Sequence, residues 1–436
     1  MIVKCRANFA LFLFVRLFLA KVCSIMLLVI GMDERIIFHV DVNNAFLSWS
    51  AVLLLKNGCK LDIRKIPAVI GGDEDKRHGI VLAKSPIAKR FGIVTAETLY
   101  SARKKCPNLK VYPADYSWYY KQSQLFHNYL KQYTPNIEKY SIDEAFLDLT
   151  GMKYIYSDYI KLAYKIKDDI KKLFGFTVNV GIGNNMLCAK MASDFEKPDK
   201  VHTLFMNEVQ TKMWPLDIGD LFMVGRKTSA SLRKLGIHTI GDLACTDLAF
   251  LEAHFKNQAS FLKNSANGID YSKVEKQESK SPSISVSETL PYDVVDMNVL
   301  EDVLLRQVSE VSRQLRNRSL YCNVVCIFYK NDMFQMYSKQ VKLDNAINGT
   351  EDIYKVILNL LRISWKRDAI RLIGVRLADL TSTRKRQISI FDDFNDDKIE
   401  QEDVFQNTID KINNKFGKSL IMPASLKLIQ KDNEKK

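Results

Sequence analysis

Two strand-like runs of this 436-residue chain carry acids where a buried strand tolerates them least. Ile36-Ile37-Phe38-His39-Val40-Asp41 is largely apolar and ends on a carboxylate. Asn43-Asn44-Ala45-Phe46 follows, with a helical apolar pattern at Phe46, Trp49, Val52 and Leu53. Farther along, Tyr140-Ser141-Ile142-Asp143-Glu144-Ala145-Phe146-Leu147-Asp148-Leu149 sets two adjacent acids inside a second run of the same kind. An unpaired buried charge is costly, so the fold has to compensate for these groups. Asp41 by itself reads either as a cap or as a metal ligand delivered by a strand end. On a regular strand Asp143 and Glu144 point to opposite faces, whereas at a hairpin or bulge both reach one site.

Three hard carboxylates, helped by backbone carbonyls, suit Mg2+ or Mn2+ better than zinc. A pair of such ions suits phosphoryl transfer, one lowering the pKa of an attacking hydroxyl and the other holding the leaving pyrophosphate. Composition bears on the partner. Lys+Arg 64 against Asp+Glu 50 gives a net charge of +14 and a pI near 9.2, which favours a polyanion, nucleic acid or anionic membrane, over an ordinary basic enzyme. Hydrophobic residues at 47% and charged residues at 26% exclude a mainly disordered or collagen-like chain, and the length suggests two to four domains. Eight scattered cysteines form no Cys-x-x-Cys pair, and read as reduced cytoplasmic thiols. Cys322 and Cys326 share one face of a strand and read as small core residues rather than half a zinc site.

Met1–Gly31 is apolar, with Lys4, Arg6, Arg16 and Lys21 and no acid. Its longest charge-free stretch falls short of the roughly 20 residues of a membrane-crossing helix. Arg16 closes the apolar region too early for a good signal peptide. The segment therefore reads first as a non-native upstream extension, then as a membrane-associating helix, and last as a cleaved signal. Met32 opens a fresh cytoplasmic start, and no membrane partner is expected once the extension is set aside.

Together, His-Val-Asp-Val-Asn-Asn-Ala-Phe and Tyr-Ser-Ile-Asp-Glu-Ala-Phe-Leu-Asp resemble the two palm motifs of the Y-family DNA polymerases, lesion-bypass enzymes of the polymerase IV and UmuC-like bacterial branch. The likeness runs in order from about Met32 to near the C-terminus. It implies an α+β multidomain fold, a right-hand polymerase with palm, small fingers, a helix-hairpin-helix thumb and a C-terminal little-finger domain. By that resemblance Asp41, Asp143 and Glu144, with the backbone carbonyl of Val42, hold two Mg2+ ions, or Mn2+ in their place. Phe46 takes the steric-gate position that rejects a ribose 2′-hydroxyl, beside Ala45.

The expected palm covers residues 32–46 and 113–205, the fingers 47–112, and the thumb 206–270. Residues 271–285 are the expected linker, 286–382 the little finger, and 383–436 a tail. In the fingers, Ile80–Gly92 reads as a strand, then a helix capped by Ser85 with Pro86 in its first turn. Lys89 and Arg90 there form either a triphosphate cradle or a solvated basic face. The family often has Tyr and Arg where this chain has Pro86 and Lys89, and Lys supplies a point charge, not a fork. Phe174–Gly183 reads as a strand ending in Gly-Ile-Gly, a poor phosphate-loop signal without Gly-Lys-Ser/Thr, and Asn185–Phe195 as a helix. Lys197 of the Lys-Pro pair is the stronger triphosphate candidate by resemblance, and Lys190 a structural residue of the helix.

In the thumb, Gly225-Arg226-Lys227 and the turn at Gly236 resemble helix-hairpin-helix elements, which bind backbone phosphates through turn amides, although a small structural bundle has the same pattern. From Lys280 to Arg386 the chain has 17 Lys/Arg against 12 Asp/Glu, a surplus suited to gripping duplex DNA. Gln387, Ile388, Ile390 and Phe391 resemble a sliding-clamp binding peptide, and Val404–Phe416 reads as an amphipathic helix of unassigned role. The expected partners are primed template DNA, dNTPs, the sliding clamp (beta subunit) and accessory mutagenesis proteins. The expected activity is low-fidelity, template-directed DNA synthesis without proofreading. The alternative is a non-catalytic DNA- and clamp-binding accessory protein of the UmuC type, motivated by Pro86 and Lys89.

Overall fold

The computed structural model describes residues 35–73, 79–275, 283–383, 408–412, 415–416 and 421. The expectations for Met1–Gly31 and for Gln387, Ile388, Ile390 and Phe391 lie outside the described residues. The described residues form two compact units, one of residues 35–71 and 81–275, the other built on residues 283–383.

The first unit starts with β1 (Ile37–Val42), buried at every position. Strand pleating divides it: Phe38, Val40 and Val42 enter one core, while Ile37, His39 and Asp41 share the opposite face. Asn44 takes a left-handed φ of 51°, which Asn tolerates, and starts α1 (Ala45–Lys56) while its amide donates to the Lys84 carbonyl at 2.7 Å. A small module follows: β2 (Ala68–Gly71), β3 (Val81–Lys84), α2 (Pro86–Arg90), α3 (Leu99–Lys105) and β4 (Lys110–Pro113). Its sheet order is β3-β2-β4. As the pattern predicts, the Ser85 hydroxyl caps α2 by accepting from the Ala88 amide at 3.0 Å, and Pro86 needs no partner in the first turn.

The chain then adds α4 (Tyr116–Leu130), β5 (Ile137–Lys139), β6 (Glu144–Asp148), α5 (Tyr159–Phe174), β7 (Val178–Gly183), α6 (Met186–Asp194) and β8 (Val201–Leu204). The resulting sheet has the order β5-β6-β1-β7-β8, with β1 antiparallel to both neighbours. The strand expected from Phe174 begins only at Val178. Helical apolar spacing through Leu162, Ala163, Ile166 and Ile170 carries α5 to Phe174, and Gly175 (φ 79°) ends it in the left-handed region that glycine adopts freely.

Residues of α4 and α5, among them Phe126, Leu130, Ile166 and Ile170, join the core on the Phe38 face. On the opposite face α6 lies very close to the sheet. A Cβ on Gly181 would stand 2.0 Å from the Ala189 carbonyl oxygen and 2.4 Å from the Ser193 amide. The Gly-Ile-Gly stretch thus admits a helix, a packing role that its sequence does not distinguish from other glycine turns.

Four helices follow, α7 (Arg226–Lys234), α8 (Ile240–Cys245), α9 (Leu248–Phe255) and α10 (Ala259–Ala266). They share a core of Leu232, Ile240, Leu243, Leu251 and Leu262 with Leu187 and Met191 of α6.

In the second unit β9 (Ser283–Val294), α11 (Met297–Asn317), β10 (Tyr321–Asn331), β11 (Met336–Ile347), α12 (Thr350–Ser364) and β12 (Ile370–Thr381) form an antiparallel sheet of order β11-β10-β12-β9 packed against two helices. β9 begins inside the expected 271–285 linker. Ser283-Ile284-Ser285-Val286-Ser287 alternates small polar and apolar residues with the period of a strand and pairs with β12, so serine content misleads there. Cys322 and Cys326 are buried free thiols, as expected of core residues.

Candidate active site

Register brings the first two acids together. Asp41 on β1 lies directly opposite Glu144 on β6, and on its other side opposite Asn179 on β7. Directly paired residues share a sheet face, so Asp41 and Glu144 meet across the face that also carries His39. Asp143 sits in the turn before β6, where its carbonyl accepts from the Val42 amide at 3.0 Å. The Ser141 hydroxyl donates to its carboxylate at 2.7 Å. The turn, closed by the Tyr140 and Ser141 amides on the Glu144 carbonyl, leaves Asp143 near enough to Asp41 and Glu144 for their charges to act on it.

Two ammonium groups from the α6 side sit against this acidic face. Lys190 donates to Glu144 Oε1 at 2.5 Å, and Lys197 bonds Asp41 and also Asp194, the latter at 2.7 Å. Lys190, expected as structural, therefore touches a site carboxylate. His39 is fully buried, with Nδ1 2.8 Å from the Ser193 hydroxyl and Nε2 3.8 Å from Glu144 Oε2. Burial keeps His39 below its ordinary pKa, against the neighbouring Glu144 and Asp41, which raise it.

Burial also opposes charge on Glu144, but His39 and Lys190 outweigh it and hold the carboxyl at about 2. Asp143 shifts the other way: burial raises it, the Ser141 hydrogen bond offsets this only partly, and the charges of Asp41 and Glu144 push it further up. Burial likewise raises Asp41 despite Lys197. Among the described residues no three acidic, histidine or cysteine side chains close round one point. The donor set nevertheless fits a hard divalent cation. It is all oxygen, two of its carboxylates already hold ammonium groups, and the third holds only a hydroxyl.

Phe46 is half-buried and stacks on Tyr119, with ring centroids 4.8 Å apart and planes 19° from parallel. Ala45 beside it is buried. Lys89 is exposed on α2, and the structure adds a lysine that sequence reasoning passed over. Burial holds Lys84 below its ordinary pKa, the charge of Lys89 lowers it further and that of Glu97 raises it, while its ammonium donates to the Thr95 hydroxyl at 3.1 Å. Gly225 precedes α7 with no side-chain cap and nothing within 4 Å of where its Cβ would be, leaving first-turn amides for a ligand. Arg226 and Lys227 are exposed, and Gly236 (φ 82°) ends α7.

Sequence reading also missed His39, Asn179 and Ser193. A period-two pairing with Asp41 was available for His39, and Lys190, Asp194 and Lys197 repeat at helical spacing. Nothing local marks Asn179.

An acid-lined sheet face, a helical module with an uncapped glycine turn, and a separate sheet-and-helix unit are the parts expected of a nucleic-acid polymerase of the right-handed kind. Residues 40–194 match the impB/mucB/samB family model, residues 207–237 the IMS family HHH motif, and residues 281–390 the impB/mucB/samB family C-terminal domain. The chain belongs to this family, the Y-family DNA polymerases. It is 46% identical over 397 residues to DNA polymerase IV of Clostridium acetobutylicum, covering 90% of this chain and 98% of that protein. Identity is 37% to DNA polymerase IV of Alkaliphilus oremlandii and 32% to DNA polymerase IV 2 of Bacillus subtilis, each over 90% of this chain and covering 98% and 95% of those proteins. Among solved structures, a Y-family DNA polymerase chimera of Dbh and Dpo4 superposes with a TM-score of 0.71 at 26% identity, over 80% of this chain and all of that one. A Dbh ternary complex does so at 0.57 and 27% identity, over 79% of this chain and 98% of that one.

Proposed function

We propose that the chain is a template-directed DNA polymerase of the lesion-bypass type, which adds dNTPs to a primer 3′-hydroxyl with low fidelity in damage tolerance. The observation that carries this is the pairing of Asp41 with Glu144 across adjoining strands, with Asp143 in the adjacent turn. Asp41, Asp143, Glu144 and the Val42 carbonyl would hold two Mg2+ ions. Such ions lower the pKa of the primer hydroxyl and neutralise the pyrophosphate that leaves. Lys197, with Lys84 and Lys89 from the small module, supplies the positive charge for the triphosphate. Phe46, backed by Tyr119, meets the sugar.

In this reading the five-stranded sheet is the palm, the small three-stranded module the fingers, and the α7–α10 module the thumb, whose Gly225, Arg226, Lys227 and Gly236 meet the DNA backbone. The second unit is the little finger. Gln387, Ile388, Ile390 and Phe391 bind the sliding clamp, and the enzyme works in the cytoplasm. The relatives' names and the clustered acids argue against the non-catalytic accessory reading. Primer extension with Mg2+, primed template and dNTPs tests the proposal: wild type extends and Asp143→Ala does not. Equal inactivity of the two proteins sinks it.

A further inference from the structure

The loop at residues 196–200, which carries Lys197, is fastened by two buried asparagines. Asn179 is fully buried and uses its whole amide. Its Nδ2 donates to the Ser193 carbonyl at 2.9 Å and to the Glu196 carbonyl at 2.6 Å. Its Oδ1 accepts from Asn43 Nδ2 at 3.0 Å and from the Lys200 amide at 3.2 Å. Asn43, also buried, accepts the Asp199 amide on its own Oδ1 at 2.9 Å. The amide orientation is settled by chemistry, since two partners of Nδ2 are carbonyls and one partner of Oδ1 is a backbone N–H.

The loop backbone is therefore gripped just before Lys197, at Glu196, and just after it, at Asp199 and Lys200. Both gripping residues lie on or beside the strands that carry the acids. Asn179 is the register partner of Asp41, and Asn43 follows it by two residues. Fixing the backbone on both sides of a lysine fixes the point from which its side chain reaches, and leaves only the side-chain torsions to be settled by its carboxylate partners.

We propose that Asn43 and Asn179 are positioning residues that place the Lys197 ammonium beside Asp41 for the incoming triphosphate. This rests on the reading of Lys197 as a triphosphate ligand. Neither asparagine touches the nucleotide; both act through the lysine. Their loss weakens dNTP binding and leaves the primer-template grip intact.

The test is equilibrium binding of a dNTP, with Mg2+, to the complex of the full chain and a primer-template whose primer ends in a dideoxynucleotide, so that no turnover occurs. Asn179→Ala should raise the dNTP Kd about tenfold, equivalent to about 1.4 kcal/mol. Asn43→Ala should raise it less, and neither should change the Kd for primer-template. In a Lys197→Ala background neither should add further loss, because a residue acting through Lys197 has nothing left to position. Losses that multiply in the double variants overturn the proposal, as does an unchanged dNTP Kd in an asparagine variant that melts like wild type. If Asn179→Ala does not fold, Asn43→Ala decides. Normal dNTP binding by Lys197→Ala overturns the reading of Lys197 itself, and the proposal with it. That outcome is distinct from weak binding by Lys197→Ala beside normal binding by both asparagine variants, which overturns the positioning alone.

Discussion

Gly181→Ala tests whether the sheet sets the distance of α6 from the acids. The added methyl would lie 2.0 Å from the Ala189 carbonyl oxygen and 2.4 Å from the Ser193 amide, both backbone atoms of a buried helix that cannot swing aside. Relief to an ordinary contact requires α6 to retreat by about 1 Å, and overpacking of this kind costs about 1–3 kcal/mol. For a unit of this size that corresponds to a fall in Tm of about 3–10 °C.

The same retreat stretches the 2.5 Å bond from Lys190 to Glu144 and the 2.8 Å contact of Ser193 with His39. Misplacement of about 1 Å at a reacting centre costs on the order of a hundredfold in rate. Thermal melting and single-turnover primer extension read the two effects separately. Gly225→Ala is the control for melting, because its Cβ meets nothing within 4 Å. Extension near the wild-type rate by a Gly181→Ala protein with unchanged Tm refutes the argument that this glycine sets the helix–sheet spacing.

Asp143→Asn should abolish extension yet melt higher than wild type in metal-free buffer, because burial and the neighbouring carboxylates raise the Asp143 pKa above its ordinary value of 3.8. The wild-type penalty is full above the raised folded pKa and gone below 3.8, so the gap between the two proteins should narrow as pH falls. Added Mg2+ should raise the wild-type Tm and leave the variant nearly unmoved, measured by calorimetry. Phe46→Ala should raise ribonucleotide incorporation relative to deoxyribonucleotide while removing the stack on Tyr119; an unchanged ratio in competition assays would remove Phe46 from the sugar. Arg226→Ala with Lys227→Ala should weaken DNA binding on every sequence and reduce the slope of log K against log salt by about 2. An unchanged slope would take both residues off the backbone.

The acids were legible because each breaks a local rule. A carboxylate inside an apolar run must be compensated, and Asp143-Glu144 breaks that rule twice in succession. Ser85 and Pro86 were legible for the opposite reason, since cap and first-turn chemistry is decided within a few residues. Asn43 and Asn179 break nothing. An asparagine beside or within a strand is unremarkable until folding brings its amide against one 136 positions away. Gly181 and Gly183 could be recognised as glycines without side chains to pack, but the helix they admit is fixed only by tertiary contact.

Charge explains why the hidden residues matter to the visible ones. Asp41, Glu144 and Asp194 pair with the ammonium groups of Lys190 and Lys197, Asp143 lies in the adjacent turn, and burial lowers the His39 pKa. Four acids against two lysines leave this side negative, and Asp143, held only by a hydroxyl, is the carboxylate least compensated. On the other side of Asn44, whose amide holds the Lys84 carbonyl, Lys84 and Lys89 against the single carboxylate of Glu97 leave that side positive. A polyanion that brings cations with it answers both imbalances, its cations meeting the acids and its outer charge meeting the lysines. Lys197 is one of the two cations already committed to the acidic side, and the one that holds Asp41. In the proposed reading, where its backbone is pinned by Asn43 and Asn179 sets whether it competes with an arriving ion for Asp41 or turns to the phosphate that the ion carries.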